Sequence, residues 1–141
     1  MQNKADNYNS GNDLNILIAE DEEYNYLFIS EILSEYNIRL SRAYNGKMAV
    51  DICASNGRIN LVLMDVRMPV MDGYEATKKI KQFRPDLPVI AQTAYAMESD
   101  KKQAMDEGFD DYISKPVSVE LLIALIVKYA PAGFTLTRTP K

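Results

Sequence analysis

The sequence predicts a doubly wound α/β domain built on a five-stranded parallel sheet. Five short apolar runs alternate along the chain with segments of helical hydrophobic period, which is the order expected of repeated β/α units. The apolar runs show no strict polar/apolar alternation, as expected of strands covered by helices on both faces. Polar side chains follow several of these runs directly, at the strand ends where such sheets bind ligands.

Five β/α units account for residues 14 to 129. The apolar runs are too short for helices and read in order NILIA, IRLSRA, NLVLM, PVIAQ and DYIS. The segments between and after them carry apolar residues at helical spacing, which predicts helices over 24–36, 47–54, 74–83, 99–107 and 119–129. If the strand order is 2-1-3-4-5, strands one and three are neighbours, about 4.8 Å apart.

The two ends of the chain lie outside these units. Residues 1–13 are rich in Asn and lack apolar periodicity, which predicts a flexible N-terminal arm. Residues 130–141 contain Gly133 and two prolines without a period, which predicts a C-terminal tail or a linker.

Composition narrows the class of protein. A chain of 141 residues that is 47% hydrophobic suits one domain. The net charge of −4 and the lack of a Lys/Arg run argue against binding to nucleic acid or to an anionic membrane. The N-terminus has no apolar signal-peptide core, and the longest apolar run, 121–127, is far short of the roughly 18 residues of a membrane span. Cys53 has no cysteine partner, so a cytoplasmic location is expected.

The chain has no histidine. This excludes catalytic triads with a His base, zinc sites with His ligands and phosphohistidine chemistry within this chain. Any chemistry has to use carboxylates, hydroxyls and lysines.

Acidic residues end two strands that the predicted order makes neighbours. Glu20 and Asp21 follow the first strand, and Asp65 ends the third. Carboxylates that converge in this way need a cation, and hard oxygen ligands favour Mg²⁺ or Mn²⁺. We interpret Glu22 and Glu23 as solvated acids in the first turn of a helix, where negative charge is favourable.

A carboxylate beside a bound metal ion can attack a phosphoryl group and form an acyl phosphate. Asp65 is the candidate nucleophile. The charge that develops on the phosphoryl oxygens needs a cation and a hydroxyl donor, which Lys115 and Thr93 supply from the ends of two further strands.

These motifs together resemble the receiver domain of two-component response regulators. The matching stretches are AEDE at 19–22, LMDVRMPVMDG at 63–73, TA at 93–94 and DDYISKP at 110–116. The phrases MPVMDGYEATKKI and DDYISKP are most similar to receivers attached to hybrid sensor histidine kinases. The resemblance covers residues 14–129 and implies the flavodoxin-like receiver fold.

The resemblance implies specific roles for the site residues. Asp65 would accept a phosphoryl group from a phosphohistidine on a sensor histidine kinase or a histidine phosphotransfer protein. Asp21, Asp65 and the main-chain carbonyl of Arg67 would hold Mg²⁺, with Glu20 acting through water in place of the more usual Asp. Thr93 and Tyr112 would report phosphorylation, and a cis bond before Pro116 would aim Lys115.

The same motifs weigh against other classes of protein. A phosphatase of the haloacid dehalogenase type needs an acid two residues after its nucleophile, where this chain has Arg67. A flavodoxin needs a Ser/Thr/Gly-rich loop after the first strand, where this chain has EDEE. The expected protein is a signalling acceptor and switch with no small-molecule substrate. The alternatives that remain are a stand-alone regulator, the cytoplasmic part of a membrane-bound hybrid kinase, and a degenerate receiver that only binds partners.

Two apolar surfaces and one pair of pocket residues are also predicted. Leu27 and Phe28 fall outside the inward face of the first helix, so we expect them to receive the phosphodonor protein. Ile123 and Val127 lie opposite a stripe of Leu121, Leu122, Leu125, Ile126 and Tyr129 on the last helix, and they are candidates for an output surface or a homodimer of the phosphorylated form. Arg67 and Tyr95 are expected to shield the phosphoryl group from water and to prolong its lifetime.

Overall fold

Five parallel strands form one sheet in the order β2-β1-β3-β4-β5 in the computed structural model, which describes residues 13–94 and 97–140. The strands are β1 (Leu14–Ala19), β2 (Ile38–Ala43), β3 (Leu61–Asp65), β4 (Val89–Thr93) and β5 (Asp111–Ser114). The predicted strand order and parallel direction are confirmed, and β1 and β3 are neighbours.

Five helices alternate with the strands in the described part of the chain. They are α1 (Glu23–Leu33), α2 (Gly46–Ser55), α3 (Gly73–Phe83), α4 (Glu98–Asp106) and α5 (Val119–Tyr129). Helices α1 and α5 contribute to the hydrophobic core on one face of the sheet, and α2, α3 and α4 contribute to the core on the other face. Helix α1 ends at Leu33, a turn earlier than the sequence predicted, and Tyr36 lies in the turn before β2.

Successive strand side chains alternate between the two cores, as the pleat requires. In β1, Ile16 and Ile18 pack towards α1 and α5, and Leu17 and Ala19 pack towards α2 and α3. Glu20, the next residue, therefore continues the row that faces α1. By the same alternation, Asp65 of β3 and Gln92 of β4 lie on the face of the sheet that α1 covers, and the two residues are paired.

The loop between β3 and α3 makes a tight turn beside the strand ends. Val70 has a φ of 69°, and the Met71 N–H donates to the Pro69 carbonyl over 2.7 Å, which closes a γ-turn. The Met71 carbonyl in turn accepts the N–H of Gly46, at 2.9 Å. A Cβ atom on Gly46 would lie 2.1 Å from that carbonyl oxygen, so only glycine allows α2 to approach this loop.

The segment after α5 lies back against the turn between α1 and β2. Asn37 and Thr137 exchange hydrogen bonds at 2.8 and 3.0 Å, and Thr139 donates to the Glu35 carbonyl. Phe134 packs against the core on the α1 side of the sheet. The described part of the predicted tail is thus packed against the domain, whereas the predicted N-terminal arm lies outside the described residues except for Asp13.

The exposed side of α5 differs from the prediction. Leu122, Leu125 and Ile126 are buried as predicted, but Leu121 is 46% exposed and Ile123 is half-buried against the core. The assignment of Leu121 to the inward stripe and of Ile123 to the free face was wrong. Both residues lie about 100° from Leu122 on the helical wheel, so periodicity cannot tell which of the two flanks the neighbouring elements cover.

Among the described residues, no helix has the length and apolar content needed to cross a bilayer.

Candidate functional site

Three acidic side chains meet where β1 and β3 end. Glu20 and Asp21 follow β1, Asp65 is the last residue of β3, and one carboxylate oxygen from each lies within 4.8 Å of the others. Glu20 is fully buried and Asp65 is only 5% exposed, whereas Asp21 is exposed. The convergence that the strand order predicts is therefore observed.

Lys115 supplies the positive charge at this cluster. Its Nζ lies 3.2 Å from a carboxylate oxygen of Glu20 and 3.2 Å from one of Asp65. The Lys115 N–H donates to the Thr93 carbonyl over 2.8 Å, which ties the end of β5 to the end of β4. The peptide bond between Lys115 and Pro116 is cis, as the resemblance implied.

The backbone after β3 holds the other side of Asp65. The main-chain N–H of Arg67 donates to Asp65 Oδ1 over 3.2 Å. Gly73 begins α3 against this segment: its N–H donates to the Val66 carbonyl at 2.8 Å, and a Cβ atom there would lie 2.3 Å from the Asp65 carbonyl oxygen. Asp72 caps α3 by accepting the Glu75 N–H.

Burial and acid–acid repulsion set the protonation of the pair. Burial, then the hydrogen bond with Glu20 and the charge of Glu20, together raise the pKa of Asp65 to about 7, against the opposing charge of Lys115. Burial also opposes ionisation of Glu20, but hydrogen bonds from Asp65, from the Glu22 N–H and from Asn25 lower the pKa of Glu20 overall. Of the two carboxyl groups, Asp65 is therefore the weaker acid and is the first to take up a proton as the pH falls.

Lys115 keeps its charge in this setting. Burial lowers the pKa of the amine, but the charges of Asp65 and Glu20 outweigh it and raise the pKa above its ordinary value. The cluster thus holds a permanent cation beside the candidate nucleophile.

Arg42 of β2 fixes the backbone at the end of β1. Its Nε and Nη2 donate to the Glu20 carbonyl at 3.2 and 3.1 Å, and its Nη1 pairs with Glu23 at 2.6 Å. The guanidinium is stacked between the rings of Tyr26 and Tyr44, 4.1 and 4.2 Å from the ring centroids. Arg42 was not predicted as a site residue, because no sequence pattern indicates that a β2 side chain packs between these two rings.

Asn25 of α1 and Gln92 of β4 are two further polar residues that the sequence analysis missed. The Asn25 side-chain amide donates to the Glu20 carboxylate and, over 3.2 Å, to the side-chain oxygen Oε1 of Gln92. Both residues are buried. Two signals were present in the sequence: Gln92 is polar within the apolar run VIAQ, and Asn25 shares a helix face with Ile29 and Leu33.

The cluster opens into a cavity of about 230 Å³ whose lining includes Glu20, Asp21, Asp65, Arg67, Thr93 and Lys115. The structure thus brings together the residues that the sequence predicts for metal binding and phosphoryl transfer. Tyr112 lies on β5, is half-buried against the core, and has the Lys101 amine 5.2 Å from its ring centroid. Tyr95 lies outside the described residues.

The predicted docking residues Leu27 and Phe28 are 51% and 39% exposed, as expected. On α5, Val127 is 55% exposed, and Val119 and Leu121 are exposed as well. The apolar surface of α5 therefore consists of Val119, Leu121 and Val127, without Ile123.

The donor set suits a divalent cation. Three carboxylates offer hard oxygen ligands within reach of one another, which is the chemistry that Mg²⁺ and Mn²⁺ prefer. Burial and, after it, the neighbouring Glu20 raise the pKa of Asp65, and a bound cation would offset the negative charge of both acids.

Fold and site together define a receiver domain of two-component signalling. The family comparison agrees: residues 16–127 match the response regulator receiver domain. The chain belongs to this family.

Two curated relatives show the settings in which similar domains occur. The sensor histidine kinase RcsC of Salmonella typhimurium is 34% identical over 121 residues, which cover 86% of this chain and 13% of the kinase. The two-component response regulator 24 of Arabidopsis thaliana is 32% identical over 115 residues, which cover 82% of this chain and 83% of that protein. The chain therefore spans a small part of the kinase and most of the regulator.

Two solved structures share the fold and more than a quarter of the sequence. One is the complex of the Saccharomyces cerevisiae phosphotransfer protein Ypd1 with the receiver domain of Ssk1, with a TM-score of 0.78, 30% identity, and coverage of 84% of this chain and 90% of that chain. The other is the receiver domain of the Pseudomonas aeruginosa sensor histidine kinase PA1611 with magnesium in its active-site cleft. Its TM-score is 0.75 and its identity 31%, with coverage of 82% of this chain and 96% of that chain.

Proposed function

We propose that Asp65 is the phosphoacceptor of a phosphorelay and that the chain works as a conformational switch. The observation that carries this proposal is the position of Asp65, which ends β3 with Lys115 Nζ at 3.2 Å and the Arg67 N–H on its other oxygen. A carboxylate oxygen of Asp65 attacks the phosphorus of a phosphohistidine. The P–N bond breaks, its electron pair stays on the imidazole nitrogen, and the donor leaves as neutral histidine once that nitrogen is protonated.

We propose that Asp21, Asp65 and the main-chain carbonyl of Arg67 hold Mg²⁺, with Glu20 acting through water; Mn²⁺ suits the same ligands. The ion offsets the negative charge of both reactants when it is bound. Lys115 balances charge on the phosphoryl oxygens, and Thr93 donates its hydroxyl to one of them. Thr93, at the end of β4, and Tyr112, on the neighbouring strand β5, then transmit the change.

The test is covalent labelling with acetyl phosphate and Mg²⁺. We expect one acid-stable, base-labile phosphoryl group per chain, measured by intact mass, and none on the Asp65→Asn variant. Asp72→Asn, which changes an exposed acid in the same loop, should label as the wild type does. Equal labelling of Asp65→Asn and the wild type would disprove the assignment.

The phosphodonor is proposed to be a sensor histidine kinase or a histidine phosphotransfer protein. Since the chain resembles receivers within sensor kinases, we propose that it acts in a hybrid kinase on the cytoplasmic side of the membrane. The match to most of a plant regulator supports the second candidate, a stand-alone regulator. Mass measurement of the native gene product in cell extracts distinguishes these two settings.

Phe28 is proposed to contact the phosphodonor protein. It is exposed on α1 together with Leu27, and α1 begins beside the acid cluster, so a helical bundle docked there would reach Asp65. We expect Phe28→Ala to slow transfer from the cognate donor about tenfold, as for an aromatic residue central to an interface. Phe83→Ala, which truncates an equally exposed Phe on α3, is the matched control.

Normal transfer to Phe28→Ala, in protein that labels fully with acetyl phosphate, would exclude this docking site.

Val127 is proposed to belong to an output or dimer surface on α5. It is exposed together with Leu121, whereas Ile123 packs inward. We expect the beryllofluoride-treated wild type to sediment as a dimer and the Val127→Ser variant to remain monomeric. A wild type that stays monomeric with and without beryllofluoride would argue against the dimer and favour a different partner.

Arg67 is proposed to prolong the lifetime of the acyl phosphate, together with Tyr95. Arg67 lines the cavity, and its guanidinium can pair with phosphoryl oxygens that water must approach. We expect Arg67→Asn to lose the phosphoryl group severalfold faster than the wild type, measured as decay of the labelled mass. Lys79→Asn on the exposed side of α3 should not change the decay; equal decay of Arg67→Asn and the wild type would contradict shielding.

A further inference from the structure

Glu20 is held in one orientation by donors from three parts of the chain. One carboxylate oxygen accepts the Asn25 amide and lies 3.2 Å from Lys115 Nζ, and the other accepts the Glu22 N–H at 3.1 Å. The side chain has no exposed surface. A glutamate has an additional rotatable bond compared with aspartate, so these contacts determine where its carboxylate lies relative to Asp21 and Asp65.

Among the residues that contact Glu20, Asn25 is the one whose position in the fold does not itself call for a polar side chain. It lies on the buried face of α1, where Ile29 and Leu33 occupy the same row one and two turns later. An apolar side chain would fill that row without the cost of burying an amide. The Asn25 amide is buried beside a second polar residue, Gln92, whose Nε2 has no hydrogen-bond partner among the described residues.

The contact between Asn25 and Gln92 connects α1 to the strand that carries Thr93. Asn25 Nδ2 donates to Gln92 Oε1 over 3.2 Å, and Gln92 lies next to Thr93 at the end of β4. Gln92 also lines the cavity at the acid cluster. The two amides therefore form a buried brace from β4 through α1 to the carboxylate of Glu20.

We propose that Asn25, braced by Gln92, is a positioning residue that fixes Glu20 for binding of the divalent cation. This inference rests on the proposed function of the same site. Asn25 would orient the long side chain of a glutamate in particular. An aspartate at position 20 is shorter by one methylene, so its carboxylate would lie too far from Asn25 to accept this hydrogen bond. Partners that orient ligands in this way typically contribute about 10- to 100-fold to metal affinity.

The experiment measures Mn²⁺ affinity by electron paramagnetic resonance and Mg²⁺ affinity by calorimetry, on the unphosphorylated protein. Asn25→Leu keeps the branched four-atom side chain and removes the amide, and it is made in the wild-type and Glu20→Asp backgrounds. We expect about tenfold weaker Mn²⁺ binding in the wild-type background and less than a twofold change in the Glu20→Asp background. Gln92→Leu should weaken binding less than Asn25→Leu does, because Asn25 still reaches Glu20.

Controls separate positioning from stability. Ser30→Ala, a polar truncation at a half-buried position of α1 whose hydroxyl donates to the Leu27 carbonyl, should leave Mn²⁺ affinity unchanged. Thermal melting of each variant shows whether it folds, and Asn25→Ser takes the place of Asn25→Leu if the latter does not. A residue that only supports the fold would lower the melting temperature without a loss of affinity that depends on the length of the acid at position 20.

Two results would overturn the inference: Mn²⁺ affinity within twofold of the wild type in the Asn25 variant, or an equal loss in both backgrounds. Failure of the proposed function looks different. If wild-type protein binds Mn²⁺ but is not labelled on Asp65 by acetyl phosphate, the phosphoacceptor proposal fails while the role of Asn25 in metal binding stands. If wild-type protein binds neither ion, both fail.

Discussion

Replacing Gly73 by alanine should destabilise the domain by about 3 kcal/mol, although alanine is the better helix former. A Cβ atom at this position would lie 2.3 Å from the Asp65 carbonyl oxygen and 2.9 Å from the Val66 Cα, and neither backbone atom can turn aside as a flexible side chain would. The lower chain entropy of the unfolded alanine variant returns only about 0.4 to 1 kcal/mol. Urea denaturation at constant pH measures the net change.

Gly57 provides the matched control. It lies in the turn after α2, and a Cβ atom added there has no atom within 4 Å. Gly57→Ala should therefore change the free energy of unfolding by less than about 0.5 kcal/mol. If Gly73→Ala proved as stable as Gly57→Ala, the close approach of α3 to the end of β3 would be incorrect.

The same substitution connects the fold to the site. Gly73 lets α3 begin against the backbone of Asp65 and Val66, so a side chain there displaces the residue that is proposed to take the phosphoryl group. Acetyl phosphate should consequently label Gly73→Ala more slowly than Gly57→Ala, at a temperature where both are folded. The absence of a side chain at this helix start is thus expected to determine the position of Asp65 as well as the stability of the domain.

The order of elements and the acid cluster could be predicted because both depend on local patterns. Short apolar runs mark strands buried on both faces, and the strand order then brings Asp21 and Asp65 together without knowledge of any side-chain contact. The exposed positions of Leu27 and Phe28 follow from the helical wheel in the same way.

Individual side-chain contacts between elements distant in sequence could not be predicted. Arg42 is clamped between two tyrosines from α1 and from the loop after β2, and Asn25 meets Gln92 across 67 residues. Such contacts depend on the register of packing and on rotamers, which hydrophobic period does not encode. For Ile123 the wheel gives two equivalent flanks, and only the packing of α5 on the sheet decides between them.

The raised pKa of Asp65 predicts that the metal-free protein becomes less stable as the pH rises. Its pKa is about 7 in the folded chain and near 3.8 in the unfolded chain, first because of burial and then because of Glu20. The folded state therefore holds its proton more tightly, and stability is lost as pH rises from about 4 to about 7. A shift of this size corresponds to roughly 4 kcal/mol, which we discount to about 2 kcal/mol because Asp65 titrates together with Glu20 and beside Lys115.

Asp65→Asn removes that charge and keeps a hydrogen-bond donor towards Glu20. Without divalent cations we expect the variant to match the wild type near pH 4 and to be about 2 kcal/mol more stable at pH 8, which is about 5 to 8 °C in melting temperature. Excess Mg²⁺ at pH 8 should reverse the order, because an ion at 100 times its dissociation constant stabilises the folded wild type by about 2.7 kcal/mol and the variant lacks a ligand. Glu75→Gln, on the exposed side of α3, controls for the loss of one negative charge. A constant difference between Asp65→Asn and the wild type from pH 4 to pH 8 would show that Asp65 is ionised throughout, and that the acids are already balanced by Lys115 alone.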